Sequence, residues 1–271
     1  RVGSLPQALS RASAVALPGG KLLVLGGLAG GSSTDQVLLG TPSSLRAAGR
    51  LPVAGHDAAA VLVGGRVLLF GGGQSVSTDA IVRVDPRTGA ARSAGTLDEP
   101  LSDLGAAVVG GKVYLVGGYT GAKYASAVLR YDGGGKTTTV ARLPVGLRYA
   151  GVAVLGGRIY VAGGVATSGS TDAVYAVDPA AGSVRRIGTL PAPTAYGALA
   201  AAGGALYYVG GKSAAGTPLA TVLRIDPRTG ATSVAARLPR ALAEPAAVTL
   251  NGKIEIVGGE GSDAVYQLTP R

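Results

Sequence analysis

Short apolar runs recur along the chain, each too short for a helix and each closed by glycine. One segment shows the pattern. Residues Tyr149–Leu155 predict a strand, and Gly156-Gly157 a two-residue turn that needs positive φ. Arg158–Ala162 predicts a second strand, ending at Gly163-Gly164. After a variable loop, Ala173–Val177 predicts a third strand and Val184–Thr189 a fourth. Asp178-Pro179-Ala180-Ala181-Gly182 turns the chain between them, with proline setting φ and glycine taking the left-handed slot. The same turn stands at Asp85–Gly89 and Asp226–Gly230. First strands are small, as in Ala58-Ala59-Ala60-Val61, whereas second strands are bulkier, as in Lys112-Val113-Tyr114-Leu115-Val116.

This unit repeats. Gly pairs fall at Gly26-Gly27, Gly71-Gly72, Gly117-Gly118, Gly163-Gly164, Gly210-Gly211 and Gly258-Gly259. A second mark keeps step: Leu5-Pro6, Leu51-Pro52, Leu143-Pro144, Leu190-Pro191 and Leu238-Pro239, with Leu97…Pro100 as a variant. A period of ~40–50 residues built from short strands predicts a propeller. Small first strands suit the innermost position, where backbones converge on one axis. The opening Arg1–Pro6 matches a fourth strand, and the closing Ala264–Leu268 a third. The last blade therefore lacks its outer strand, and the N-terminus can supply it, leaving no open edge between first and last blades. The expectation is a single all-β domain over 1–271: a six-bladed β-propeller with four antiparallel strands per blade.

Composition narrows the chemistry. There is no Cys and one His, which excludes disulfides, thiol nucleophiles and multi-His metal sites, so neither metal nor cofactor is expected. Twenty-five basic residues against 15 acidic give +10, a charge that attracts polyanions. No basic cluster is interleaved with aromatics, so nucleic acid is not an expected partner. Thr189–Gly211 carries no charge and is long enough to span a membrane. Its Pro191, Pro193, Gly197 and Gly203-Gly204 predict two strands instead, and no transmembrane span. The chain opens on Arg1 rather than Met and is expected to be a piece of a larger protein. The lack of cysteine points to an extracytoplasmic, secreted or cell-surface setting.

The apolar strand, Gly pair, variable loop and third strand bearing Tyr131 or Tyr175 resemble the kelch repeat of the galactose oxidase/kelch superfamily, over essentially the whole chain. Kelch repeats usually carry Trp in the fourth strand, where this chain has Arg, Ser, Ala or Val, as in a divergent bacterial branch. The resemblance implies a six-bladed kelch-type propeller that binds its ligand or partner on one face. The copper–radical site of galactose oxidase needs a Cys–Tyr cross-link and two His ligands, and this chain has no Cys and only His56. A carbohydrate-active enzyme such as a sialic-acid mutarotase of the kelch type remains compatible. It would need an acid–base carboxylate or His, with Arg clamping a sugar carboxylate.

The repeat separates scaffold from candidate site, because positions that differ between blades are free of scaffold duty. Six residues past each Leu of the Leu-Pro mark, the chain has Arg11, Asp57, Asp103, Tyr149, Tyr196 and Glu244. Ser10, His56, Ser102, Arg148, Ala195 and Ala243 precede them. Loops after the Gly pairs add Gln74, Tyr119, Lys123, Tyr124, Lys212 and Glu260. The candidate ligand-binding set at the channel mouth is Arg11, His56, Asp57, Asp103, Tyr119, Arg148, Tyr149, Tyr196, Glu244 and Glu260, with no residue assigned as catalytic. The expected function is a non-enzymatic binding module for a protein or glycan ligand. In the enzymatic alternative, Asp57, Asp103, Glu244, His56, Arg11 and Arg148 could supply the acid–base and clamping roles.

The opposite face is more uniformly basic, through Lys21, Arg66, Lys112, Arg158 and Lys253, with Arg87, Lys136 and Arg228 in the outer turns. Weak contact with anionic surfaces would follow. Asp35, Asp79, Asp172 and Asp263 recur before third strands and are expected to be turn carboxylates accepting backbone N–H groups, not a metal ring. The Gly pairs lack the following helix and Lys-Ser/Thr of a phosphate cradle.

Overall fold

The Gly-Gly hairpins form as the pattern predicts in a computed structural model that describes residues 1–270. Gly19-Gly20, Gly64-Gly65, Gly110-Gly111, Gly156-Gly157, Gly203-Gly204 and Asn251-Gly252 all take positive φ between 50° and 76°. This is the twist that a two-residue hairpin requires. The strands they join are five residues each and run side by side: Ser13–Leu17 with Lys21–Leu25, Ala59–Val63 with Arg66–Phe70, and so around to Ala246–Leu250 with Lys253–Val257.

Six antiparallel sheets result, each ordered from an inner to an outer strand. The sixth is completed by Gly3–Ser4, which pairs antiparallel with Ala264–Leu268 in the register Gly3↔Val265 and Ser4↔Ala264. Val2 and Leu5 add backbone bonds to Val265 and Asp263 at 2.8 and 2.7 Å, and Leu5 is buried. The all-β propeller and its closure are thus as expected. In the fourth blade the inner strand begins at Gly151 rather than Tyr149, because Tyr149 leaves extended geometry at φ 56°.

Hydrophobic side chains gather in six wedges, each between two neighbouring blades. Second strands show one exposed residue followed by four buried ones in five of the six blades. Their leading residues, Lys21, Arg66, Lys112, Arg158 and Lys253, are exposed on the far face. The Leu of the Leu-Pro mark explains itself here: Leu5, Leu51, Leu97, Leu143 and Leu190 are each buried in the wedge between their own blade and the next. The Gly pairs are structural. The second glycine donates its N–H to the carbonyl four residues past that Leu, as in Gly72 to Leu101 (2.9 Å) and Gly211 to Leu242 (2.8 Å). A Cβ on the first glycine would collide with the same carbonyl.

One expectation is corrected. The carboxylates of Asp35, Asp172 and Asp263 do not accept turn N–H groups; they pair with Arg50, Arg186 and Arg1 of the adjoining outer strands at 2.9, 2.9 and 2.7 Å. The N–H two residues on is taken by the preceding hydroxyl: Thr34, Thr78, Thr171 and Ser262 each accept one at 3.2 Å. The shorter side chain reaches the turn, and the carboxylate is left free for the cross-strand arginine.

Candidate functional site

The residue six past each Leu closes a ring around the axis. Asp57 donates its backbone N–H to Arg11, Asp103 to Asp57, Tyr149 to Asp103, Tyr196 to Tyr149, Glu244 to Tyr196 and Arg11 to Glu244, at 2.8–3.2 Å. All six have φ between 52° and 61°. Left-handed geometry costs a non-glycine residue ~1 kcal/mol or more, less for Asp. Glycine takes such conformations throughout this chain, yet none of the six ring positions is glycine. A scaffold needing only the bend would be served by glycine, so the six side chains are held at a cost.

Those side chains form one polar cluster. Arg11 reaches Asp57 at 3.1 Å and Glu244 at 2.8 Å. Lys212 lies 3.5 Å from Glu244 and 2.9 Å from Glu260. Tyr149 stacks on Tyr196 with centroids 4.1 Å apart, and Arg11 sits over both rings. Arg148 donates to the Tyr149 hydroxyl at 2.8 Å and lies over the rings of Tyr119, Tyr149 and Tyr124 at 4.5, 4.6 and 5.4 Å. Its Nη2 is also 2.5 Å from Asp103 Oδ2, but off the hydrogen-bonding direction. His56 Nδ1 is 2.8 Å from Ser33 Oγ, and its Nε2 is 3.5 Å from Asp57.

All ten sequence-derived candidates therefore converge. Tyr124 and Lys212 join them from the loops, whereas Lys123 borders a separate groove on the outer side of the third blade. The loops are drawn in because residues preceding the ring bridge to them, as in His56↔Gly73, Ser102↔Tyr119 and Arg148↔Val165. Ser33 and Ser77, which back His56 and Ser102, left no signal in the sequence beyond being loop hydroxyls. Among the described residues, no group of three His, Asp or Glu side chains gathers to hold a metal.

Electrostatics sort the carboxyls. Burial pushes Asp57 up to about 8, and the charge of Asp103 and a hydrogen bond between the two carboxyls add to this. Asp57 thus holds its proton at neutral pH. Burial would raise Glu244 as well, but the bond from Arg11 and the charges of Arg11 and Lys212 outweigh it and hold Glu244 below its ordinary value. Burial and then Arg11 lower His56, so its ring is neutral at pH 7. Burial opposes the charge on Arg11, yet Glu244 and Asp57 more than restore it. Three cations then face three net negative charges, and the mouth is near neutral in a chain of net charge +10.

Two cavities meet at the ring. One of about 400 Å³ opens between the second, third and fourth blades and is walled by His56, Asp57, Ser102, Asp103, Tyr119 and Arg148, among others. The other, of about 140 Å³, lies on the axis and touches all six ring residues. Farther in, the channel is lined by alanine, glycine and serine of the inner strands, as their small size predicts. A Cβ at Gly105 would strike Val152.

Residues 100–132 and 146–191, which carry Asp103, Tyr119, Arg148 and Tyr149, match the family model described as Kelch motif. The chain is a six-bladed propeller whose third and fourth blades carry kelch motifs. No curated protein matches it. Among solved structures, this propeller is similar to one described as "Structure of YjhT", at 15% identity and a TM-score of 0.81, over 99% of this chain and 95% of that one. At that identity the likeness is one of fold.

Proposed function

We propose that this propeller is a binding module whose channel mouth takes a small, hydroxyl-rich ligand of the glycan type. The observation that carries this is the cavity of about 400 Å³ walled together by charged, hydroxyl and aromatic side chains, among them Asp103, Arg148, Ser102, Tyr119 and Tyr149. Such a wall offers donors, acceptors and ring faces to a ligand rich in hydroxyls. The volume suits one or two sugar rings, and tyrosines at the wall supply faces for stacking. Because the mouth is near neutral, selection rests on hydrogen bonding rather than on net charge.

The test is a glycan array followed by calorimetry on its hits. Arg148→Ala is expected to abolish binding, while Lys123→Ala, outside the cavity, leaves it unchanged. A hit that survives Arg148→Ala would refute the reading. So would an array blank for glycans but positive for peptides.

A second reading is favoured by the neighbouring carboxyls of Asp57 and Asp103 in the wall of the 400 Å³ cavity, where burial and the charge of Asp103 push Asp57 up to about 8. A carboxyl that holds its proton at neutral pH, beside an arginine, is equipped for acid–base exchange at a sugar's anomeric carbon. On this reading Asp103→Asn slows anomer exchange of an acidic sugar followed by NMR, and Glu244, which Arg11 and Lys212 hold ionised, matters less. Wild-type exchange no faster than the uncatalysed rate would end it. The setting outside the cytoplasm and a weak affinity of the basic far face for anionic surfaces belong to the same proposal. Fractionation of the full-length product and vesicle co-sedimentation with anionic lipid test them.

A further inference from the structure

The wedges between blades are filled by a repeated device with one exception. The residue four past each Leu of the Leu-Pro mark sits in the wedge behind its Gly pair. It is Leu9, Leu101, Leu147 or Leu242 at four of the six interfaces, and these are 0–4% exposed. At the fourth–fifth interface it is Thr194, and there Tyr208 fills the space, 1% exposed, with its hydroxyl 3.5 Å from the Thr194 carbonyl. At the first–second interface it is Gly55, and the strand position matching Tyr208 is Leu69. Neither compensation is present. A pocket of about 360 Å³ there runs inward past Gly55 to Leu25, Ala58 and Leu69, whereas the groove of about 460 Å³ at the second–third interface, where Leu101 stands, touches no first or second strand.

Nothing in the backbone requires glycine at this point. Of the 46 glycines, Gly55 alone combines a φ outside the left-handed region with no contact under 3.0 Å for an added Cβ; its nearest neighbour would be the Gly73 carbonyl at 3.5 Å. The missing side chain therefore serves the cavity and not the turn. At its outer lip stand Val53 and Val76, 69% and 76% exposed, two of the five large apolar residues the surface shows. At its inner end it shares Arg11 and His56 with the mouth.

We infer that the wedge between the first and second blades is a binding site for a compact aromatic group of one or two rings. A dry apolar cavity of roughly 150 Å³ already admits benzene, and this one is more than twice that size. Neutral His56 at its inner end fits an uncharged occupant, since Arg11 is already committed to two carboxylates and the exposed Gln74 amide donates to the Ala54 carbonyl at 2.9 Å. The inference does not depend on what the mouth binds.

Indole is the probe, titrated into the intact domain and followed by ligand-observed NMR. The variants are Gly55→Ala and Gly55→Leu, which refill the cavity by one and four carbons. Saturable binding to wild type is expected. It should weaken about tenfold or more in the Leu variant and by an intermediate factor in the Ala variant. Both should melt no lower than wild type, with the Leu variant roughly 2–4 °C higher from the added burial. The inference is overturned by an absence of saturable indole binding in wild type, or by equal affinity in all three proteins. A Leu variant that melts well below wild type would overturn it too, since the space would then not be open to a side chain.

Discussion

Replacing Asp57 by Asn tests the proton assigned to that carboxyl. Asp57 has a side chain 9% exposed, faces Asp103, and is pushed up to about 8 from an ordinary 3.8. The folded state therefore keeps a proton that the unfolded chain has released, and stability falls as pH rises through the interval between those values. The full slope is ~1.4 kcal/mol per pH unit. Near the top of the interval part of the proton is already gone, which leaves a loss of ~1 kcal/mol between pH 7 and 8. His56, lowered by burial and by Arg11, acts in the opposite direction, but below its ordinary value, and contributes little above pH 7. Urea unfolding at pH 6, 7, 8 and 9 measures the slope. Wild type should lose stability across pH 7–8, and Asp57→Asn should not, because its amide has no proton to release. Equal slopes in the two proteins, or a wild type whose stability is flat or rising there, would refute the proton on Asp57.

The other predictions concern the scaffold. Leu5→Ala should cost ~2–4 kcal/mol by urea unfolding, since it empties a buried position in the wedge that joins the last blade to the first. A loss under about 0.5 kcal/mol would mean that the N-terminal strand does not close the ring. Gly110→Ala should cost ~1 kcal/mol, for a left-handed φ of 57° alone, since the space around it is open. A neutral result would show that the hairpin turn relaxes at no cost.

Six of the ten candidate residues were found through their blade-to-blade variation at one register of a fixed repeat, His56 and Arg148 as their preceding neighbours, and Tyr119 and Glu260 in the loops after the Gly pairs. That reasoning works because the closed sheet carries equivalent positions to one circle about the axis, whatever the side chains are. It could not give their roles. Arg148 and Tyr119 lie far apart in sequence, and only the bridge from Ser102 to Tyr119 brings the ring into contact with the caged arginine. The aspartates before the third strands show the opposite case. They recur as faithfully as any motif, yet recurrence did not tell a turn carboxylate from one paired across a strand with Arg50, Arg186 or Arg1.

Local chemistry settled the blades. Glycine pairs, Asp-Pro turns and five-residue apolar runs each specify their own geometry within a few residues, and their period counts the sectors. Two things depended on closure. One is the raised pKa of Asp57, because it follows from burial and from charges brought close by neighbouring blades. The other is the cavity at Gly55, because a missing side chain becomes an opening only when nothing across the wedge moves in to fill it, as Tyr208 does three blades away.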